Sequence, residues 1–231
     1  MDPFLVTQWS DYEEEDLEVS AGAADLWLIR PSHNFIRYLN SAERLRYEKM
    51  MNEEVRVSYS SAQGGLRRIV GCYMRSRPAD VTIYRGRRGK PYVPGAPEFN
   101  LSNTSGRTIA AFSLRPVGID VESASRRVNA EAVAKKFFFE EEQETIRQIN
   151  RVDKNLTFLR YWVCKEAMVK LSGDGIYHGL RHARVELGVD KRSHGQYRGR
   201  MVWLKEFRPA PDLLAALASW EPLEAKRFLR I

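Results

Sequence analysis

Hydrophobic and polar positions along this chain alternate between strand-like and helix-like rhythms. Asp25–Pro31, DLWLIRP, is a short aromatic and aliphatic run that predicts a strand. SAERLRYEKMM, starting at Ser41, opens on Ser-x-Glu and continues in strong helix formers, which predicts a helix capped by Ser41. SYSSAQGGLRRIVGCYMR predicts a second helix, weakened by the Gly64–Gly65 pair. VTIYRG predicts a strand, and GRRGKPYVPGAPE a loop rich in Gly and Pro. Phe99–Ser102 and Thr108–Leu114 predict two more strands around the turn NTSGR.

A second series begins with the apolar run PVGIDVE, Pro116–Glu122. VNAEAVAKKFF gathers Ala132, Val133, Lys136 and Phe137 on one helical side, FEEEQETIRQI continues as a helix, and NLTFLRYWVCKEAMVKL is a third, longer one. HARVELG and YRGRMVWLKEF predict strands, and DLLAALASW a helix on its composition. The order β-α-α-β-β thus recurs, which predicts an α+β fold of two similar α/β halves joined near Pro116. The expected division is an acidic, loose N-terminal extension over 1–20, an N-terminal half over 21–115 and a C-terminal half over 116–231.

Composition narrows this little. The 231 residues suffice for one large or two small domains with a real core. No apolar run approaches the roughly 20 residues of a membrane span, and the start lacks the basic flank and apolar core of a signal peptide, so a cytoplasmic protein without membrane contact is expected. Cys72 and Cys164 form no CxxC, and His33, His178, His182 and His194 have no zinc-ligand spacing. The net charge of +7, despite EEED near the start, favours an anionic partner.

Candidate chemistry lies in three places. Asp120 and Glu122 are two apart and, on a strand, project from one face; they mark either an exposed strand end or a site for a hard cation such as Mg²⁺. Arg87, Arg88 and Lys90 sit on a Gly-punctuated loop without P-loop spacing, either a solvated basic turn or an anion grip. In YWVCKEAMVK, Glu166 and Lys170 share a helical face with Trp162 among apolar neighbours. A surface pair there stabilises by only about 0.2–0.5 kcal/mol, whereas a semi-buried carboxylate needs a partner or a cation.

Together these pieces resemble the 4′-phosphopantetheinyl transferases of the Sfp type. The resemblance rests on Gly118-Ile119-Asp120-Val121-Glu122, then Trp162-x-x-Lys165-Glu166-Ala167-x-x-Lys170, with Gly89-Lys90-Pro91 and Phe99-Asn100-Leu101-Ser102 upstream in family order. It covers roughly Asp25 to Leu187, and the helix from Ser41 resembles the family's basic coenzyme A contact region. It implies two halves related by a pseudo-twofold with the active site at their interface. It also implies transfer of the 4′-phosphopantetheine of coenzyme A to a serine of an apo acyl or peptidyl carrier protein, releasing adenosine 3′,5′-bisphosphate. By resemblance Asp120, Glu122 and Glu166 hold Mg²⁺, Lys170 meets a phosphate oxygen, and Glu166 is the candidate base. Arg44, Lys49, Ser60, Lys90, Ser102, Asn103 and Lys170 would contact coenzyme A, Lys165 would support, and Trp162 would pack.

One departure stands out: many members carry Ser-His where this chain has Ser102-Asn103, so a titratable contact to the pyrophosphate is replaced by an amide. Two rival readings are a catalytically weak relative that only binds coenzyme A or carrier protein, and a basic nucleic-acid binder. Intact Asp120, Glu122, Glu166 and Lys170 oppose the first, and a nucleic-acid binder has no use for the three acids. No nucleic-acid partner is expected, and a monomer would suffice.

Overall fold

A computed structural model describes residues 5–12, 17–188 and 192–231. The acids at 13–16 lie outside the described residues. In chain order the elements are β1 (Ser10–Asp11), β2 (Ala23–Ile29), α1 (Ser41–Glu48), α2 (Glu53–Tyr73), β3 (Tyr84–Arg85), β4 (Pro91–Tyr92), β5 (Glu98–Thr104), β6 (Arg107–Ser113) and β7 (Val117–Ser123). Then follow α3 (Ala130–Phe137), α4 (Glu140–Gln148), α5 (Arg151–Ser172), α6 (Ile176–Gly179), β8 (Ala183–Glu186), β9 (Arg192–Tyr197), β10 (Arg200–Phe207), β11 (Leu213–Ser219) and β12 (Glu224–Arg230). The fold is α+β, and no described helix is long and apolar enough to cross a membrane.

The chain separates into two compact units, 8–115 with 224–231, and 1–7 with 116–223. In the first, a sheet of order β1-β12-β2-β6-β5 carries α2 on one face. Trp27, Ile29, Leu66, Ile69, Phe99 and Phe112 fill the core between them. The Gly64–Gly65 pair, a weakness in an isolated helix, is what lets α2 approach. A Cβ on Gly64 would lie 2.2 Å from the Phe35 carbonyl oxygen, and one on Gly65 2.7 Å from Ile29 Cγ2. The N-cap of α1 is Asn40 and not Ser41: its Oδ1 accepts from the Glu43 amide at 2.8 Å while Glu43 Oε2 accepts from the Asn40 amide at 2.9 Å.

Further features of this unit differ from the sequence expectation. The described part of residues 1–20 is not loose, because β1 pairs in parallel with β12 and alternate apolar residues Leu17 and Val19 enter the core. The last strand, β12, pairs in parallel with β2, so residues 224–231 join the first unit's sheet. VTIYRG supplies only the two-residue β3, paired with β4.

The second unit is an antiparallel sheet of order β7-β11-β10-β9-β8 with α5 packed on it. Phe158, Leu159, Val163, Ala167, Met168 and Leu171 of α5 meet Leu204, Ala216 and Ala218. DLLAALASW, expected as a helix, is the strand β11: it pairs with β7 on one side and β10 on the other, and all seven residues are buried. Two ladders of backbone hydrogen bonds and burial of every side chain outweigh the few tenths of a kcal/mol per residue by which Ala and Leu favour helix.

Candidate active site

Strand β7 and helix α5 build the carboxylate site. Gly118, Asp120 and Glu122 alternate onto the face of β7 that looks at α5. Gly118 makes the approach possible, since a Cβ there would lie 2.0 Å from the Ala167 carbonyl oxygen and 2.4 Å from the Leu171 amide nitrogen. The glycine of GID is therefore a spacer, and the acid two residues on is carried against the last turns of α5.

Lys170 Nζ donates to Asp120 Oδ1 at 2.6 Å, with Asp120 only 3% exposed. A helical-face pair of Lys170 with Glu166 is one reading of the sequence; the fold brings Lys170 to Asp120 on the strand. Glu122 is held by Arg126, four residues further along, whose guanidinium also lies 5.9 Å from the Trp162 ring centre. Glu166, half-buried on the same stretch of α5, has its pKa raised from 4.5 to about 7. Burial is the main cause, followed by repulsion from Asp120; Lys170 opposes the rise, Glu122 adds to it and Arg126 subtracts. Burial also raises the Glu122 carboxyl, against the pull of Arg126.

Among the described residues, no group of three or more His, Cys, Asp or Glu side chains is gathered as a ready metal cluster. Asp120 and Glu122 are each drawn into an ion pair. The donor chemistry nevertheless suits a hard cation: burial first, and then repulsion from Asp120 and Glu122, drives Glu166 towards its neutral form, and a divalent ion would relieve the repulsive part.

Lys165 and Trp162 belong to the frame. Lys165 is fully buried, 2.7 Å from Glu142 Oε2, donates to the Ala183 carbonyl, and lies 4.7 Å from the Phe138 ring centre. Glu142 also accepts from the amides of Val185 and Phe139, so the pair ties α4, α5 and β8 together. Trp162 stacks on Phe158 with ring centres 5.9 Å apart.

The first unit holds the remaining candidates. A cavity of about 900 Å³ is lined by Arg46, Ser58, Tyr59, Gln63, Asn103 and Ser105, among others. Arg46 stacks its guanidinium 5.3 Å from the Tyr59 ring centre at this wall. Asn103 is exposed to the cavity and Ser102, one residue earlier on β5, is buried. Lys90 is half-buried, its pKa pulled down by burial and partly restored by Glu98. Arg44 is exposed and donates to the Ile36 carbonyl at 3.1 Å, and Lys49 is exposed just past α1. Ser60 is 0% exposed, with its hydroxyl on the Val57 carbonyl at 3.1 Å, so it presents no surface to a ligand.

The sequence profile of the 4′-phosphopantetheinyl transferase superfamily matches residues 116–216, the stretch that holds Asp120, Glu122, Glu166 and Lys170. Over 195 residues the chain is 31% identical to 4′-phosphopantetheinyl transferase HetI of Nostoc sp., a match covering 80% of this chain and 81% of that protein. The chain belongs to the 4′-phosphopantetheinyl transferase superfamily. Shorter matches agree: 30% identity over 114 residues with Sfp of Bacillus subtilis, covering 48% of this chain and 50% of Sfp. Another is 34% over 120 residues with psf-1 of Bacillus pumilus, covering 51% of each.

Two residues that sequence reasoning missed accompany the transferase motifs. Arg126 had a signal, an arginine four positions after the second acid at the end of a strand. Arg46 had a weaker one: helix α1 presents Arg44, Arg46 and Lys49, and only packing against Tyr59 selects which lines the cavity.

Proposed function

We propose that this protein transfers the 4′-phosphopantetheine group of coenzyme A to a serine of an apo acyl or peptidyl carrier protein, releasing adenosine 3′,5′-bisphosphate, and that it requires Mg²⁺. The observation that supports this best is the set Asp120, Glu122, Glu166 and Lys170 on β7 and α5, within the segment that matches the family. The serine oxygen forms a bond to the phosphorus that bears the pantetheine arm, and the bond from that phosphorus to the bridging oxygen breaks. Glu166 accepts the serine proton, directly or through water. Lys170 supplies positive charge to a phosphate oxygen as charge builds there.

Asp120, Glu122 and Glu166 would hold Mg²⁺, which when bound stabilises the charge on the pyrophosphate oxygens. In the first unit, Arg46, Lys90 and Asn103 serve the anionic groups of coenzyme A, with Arg44, Lys49 and Ser102 as further contacts. The buried Ser60 is left out of that set. A monomer in the cytoplasm fits the same reading.

Incubation with coenzyme A, Mg²⁺ and apo carrier proteins from fatty-acid, polyketide and peptide pathways tests it by carrier mass. One carrier should gain one phosphopantetheine group, and only with divalent metal. Binding of coenzyme A with no gain in any carrier would leave a binding protein and remove the transferase.

A further inference from the structure

A second cavity in the first unit has no part in the reading above. It encloses about 320 Å³ and is lined by Arg30 at the end of β2, Arg37 in the 3₁₀ turn His33–Tyr38, and Arg68 on α2. Ser32, Asn34 and Tyr38 add polar atoms to its wall, Ile231, whose carbonyl accepts from the Arg30 amide at 3.0 Å, also lines it, and no Asp or Glu side chain does.

The three arginines differ from those that the fold pairs with acids. Arg67, Arg160 and Arg227 hold carboxylates at 2.9, 2.7 and 2.5 Å, and Arg126, Arg147 and Arg184 are likewise paired. Arg30, Arg37 and Arg68 form no ion pair among the described residues. Asp11, whose charge Arg30 influences, is itself held by Arg230 at both oxygens. Arg37 is braced 4.8 Å from the Tyr38 ring centre, which orders its guanidinium at the cavity. Three guanidiniums brought to one concave wall from three separate elements repel one another, and the arrangement is stabilised when an anion lies between them. Their flat forks match phosphate oxygens two at a time.

We infer that this cavity is a second anion site, distinct from the cavity at Asn103, and that it takes a small ligand carrying a phosphate or diphosphate group, free or esterified. Pro31 lines both cavities, so the two sites share one wall.

The test uses the whole protein and calorimetry with inorganic pyrophosphate, inorganic phosphate and adenosine 3′,5′-bisphosphate as separate probes. Each titration is run with and without saturating coenzyme A. Pyrophosphate should still bind when coenzyme A is present, and Arg30→Gln/Arg37→Gln should weaken that binding by at least about tenfold. Both side chains are exposed, so the variant should melt like the parent; Arg68→Gln provides an independent second variant with the same expected direction. The phosphate and bisphosphate arms decide whether the free or the esterified form binds better. Absence of pyrophosphate binding, its complete displacement by coenzyme A, or equal binding by parent and both variants would overturn the site. Failure of the transferase reading would show separately, as no carrier modification, and does not touch this result.

Discussion

Lys170 and Asp120 meet at 2.6 Å across 50 residues of sequence, and their bond ties helix α5 to strand β7, the two elements that carry the acids of the family motif. Lys170→Met removes the cation beside a nearly buried carboxylate and, on the proposed function, the charge that Lys170 would offer to phosphate. Turnover of a carrier protein should fall by at least about a hundredfold, as for loss of a group that stabilises transition-state charge. The check is single-turnover carrier modification followed by mass. A rate within a few fold of the parent, in a folded variant, would reduce Lys170 to a structural strut.

Glu166 makes the metal-free fold sensitive to pH. Its pKa is higher in the fold, about 7, than the ordinary 4.5, so the folded state binds the proton more tightly. That contribution is full below about 4.5 and is lost as pH rises through about 7. In chelator, the melting temperature should fall by several degrees across that window, and Glu166→Gln should flatten the fall. If Asp120, Glu122 and Glu166 hold Mg²⁺, adding it should restore stability most at the alkaline end. Equal slopes with and without Mg²⁺ would separate the metal from these carboxylates.

Asp120→Ala and Glu166→Ala should each slow transfer by at least about a hundredfold, with Glu122→Ala milder because water can replace one metal ligand. Near-parental turnover in both severe variants, with folding intact, would take the metal away from this site.

Asn103 lines the cavity of about 900 Å³ proposed above to take coenzyme A, and its amide does not titrate. Asn103→His should make coenzyme A binding pH-dependent between about pH 5.5 and 7.5, tighter at the acid end, where the imidazole is charged. The gain is bounded by a charge-assisted hydrogen bond of about 1.5–3 kcal/mol. Parallel binding curves for both proteins at all pH values would mean that this side chain does not touch the phosphates.

Lys165 is predicted to act through stability alone. Lys165→Met leaves Glu142 buried without its ammonium, a loss of about 3–5 kcal/mol. For a chain of this size the melting temperature should drop by on the order of 10 °C. Below the new transition the transfer rate per folded molecule should remain close to that of the parent. A loss of rate without a loss of stability would place Lys165 in the chemistry.

The sequence by itself determined the motifs, their order and most of the elements, because Gly-x-Asp-x-Glu on a strand and Glu-x-x-x-Lys on a helix are local patterns. Period two and period 3.6 set side-chain direction before any tertiary contact exists. It also placed Trp162 in packing and read the helices around Gly64–Gly65 and Lys165 correctly. The tertiary structure alone decided partners and depth. Lys170 meets Asp120, Arg126 takes Glu122, and Ser60 turns inward, since which ions meet depends on how β7 approaches α5 and not on spacing within either. Strand β11 is a strand because two neighbours hydrogen-bond it, and β12 returns to β2 because a parallel partner lies some two hundred residues upstream. Such long-range pairings carry free energies larger than local propensity, and no window of the sequence contains them.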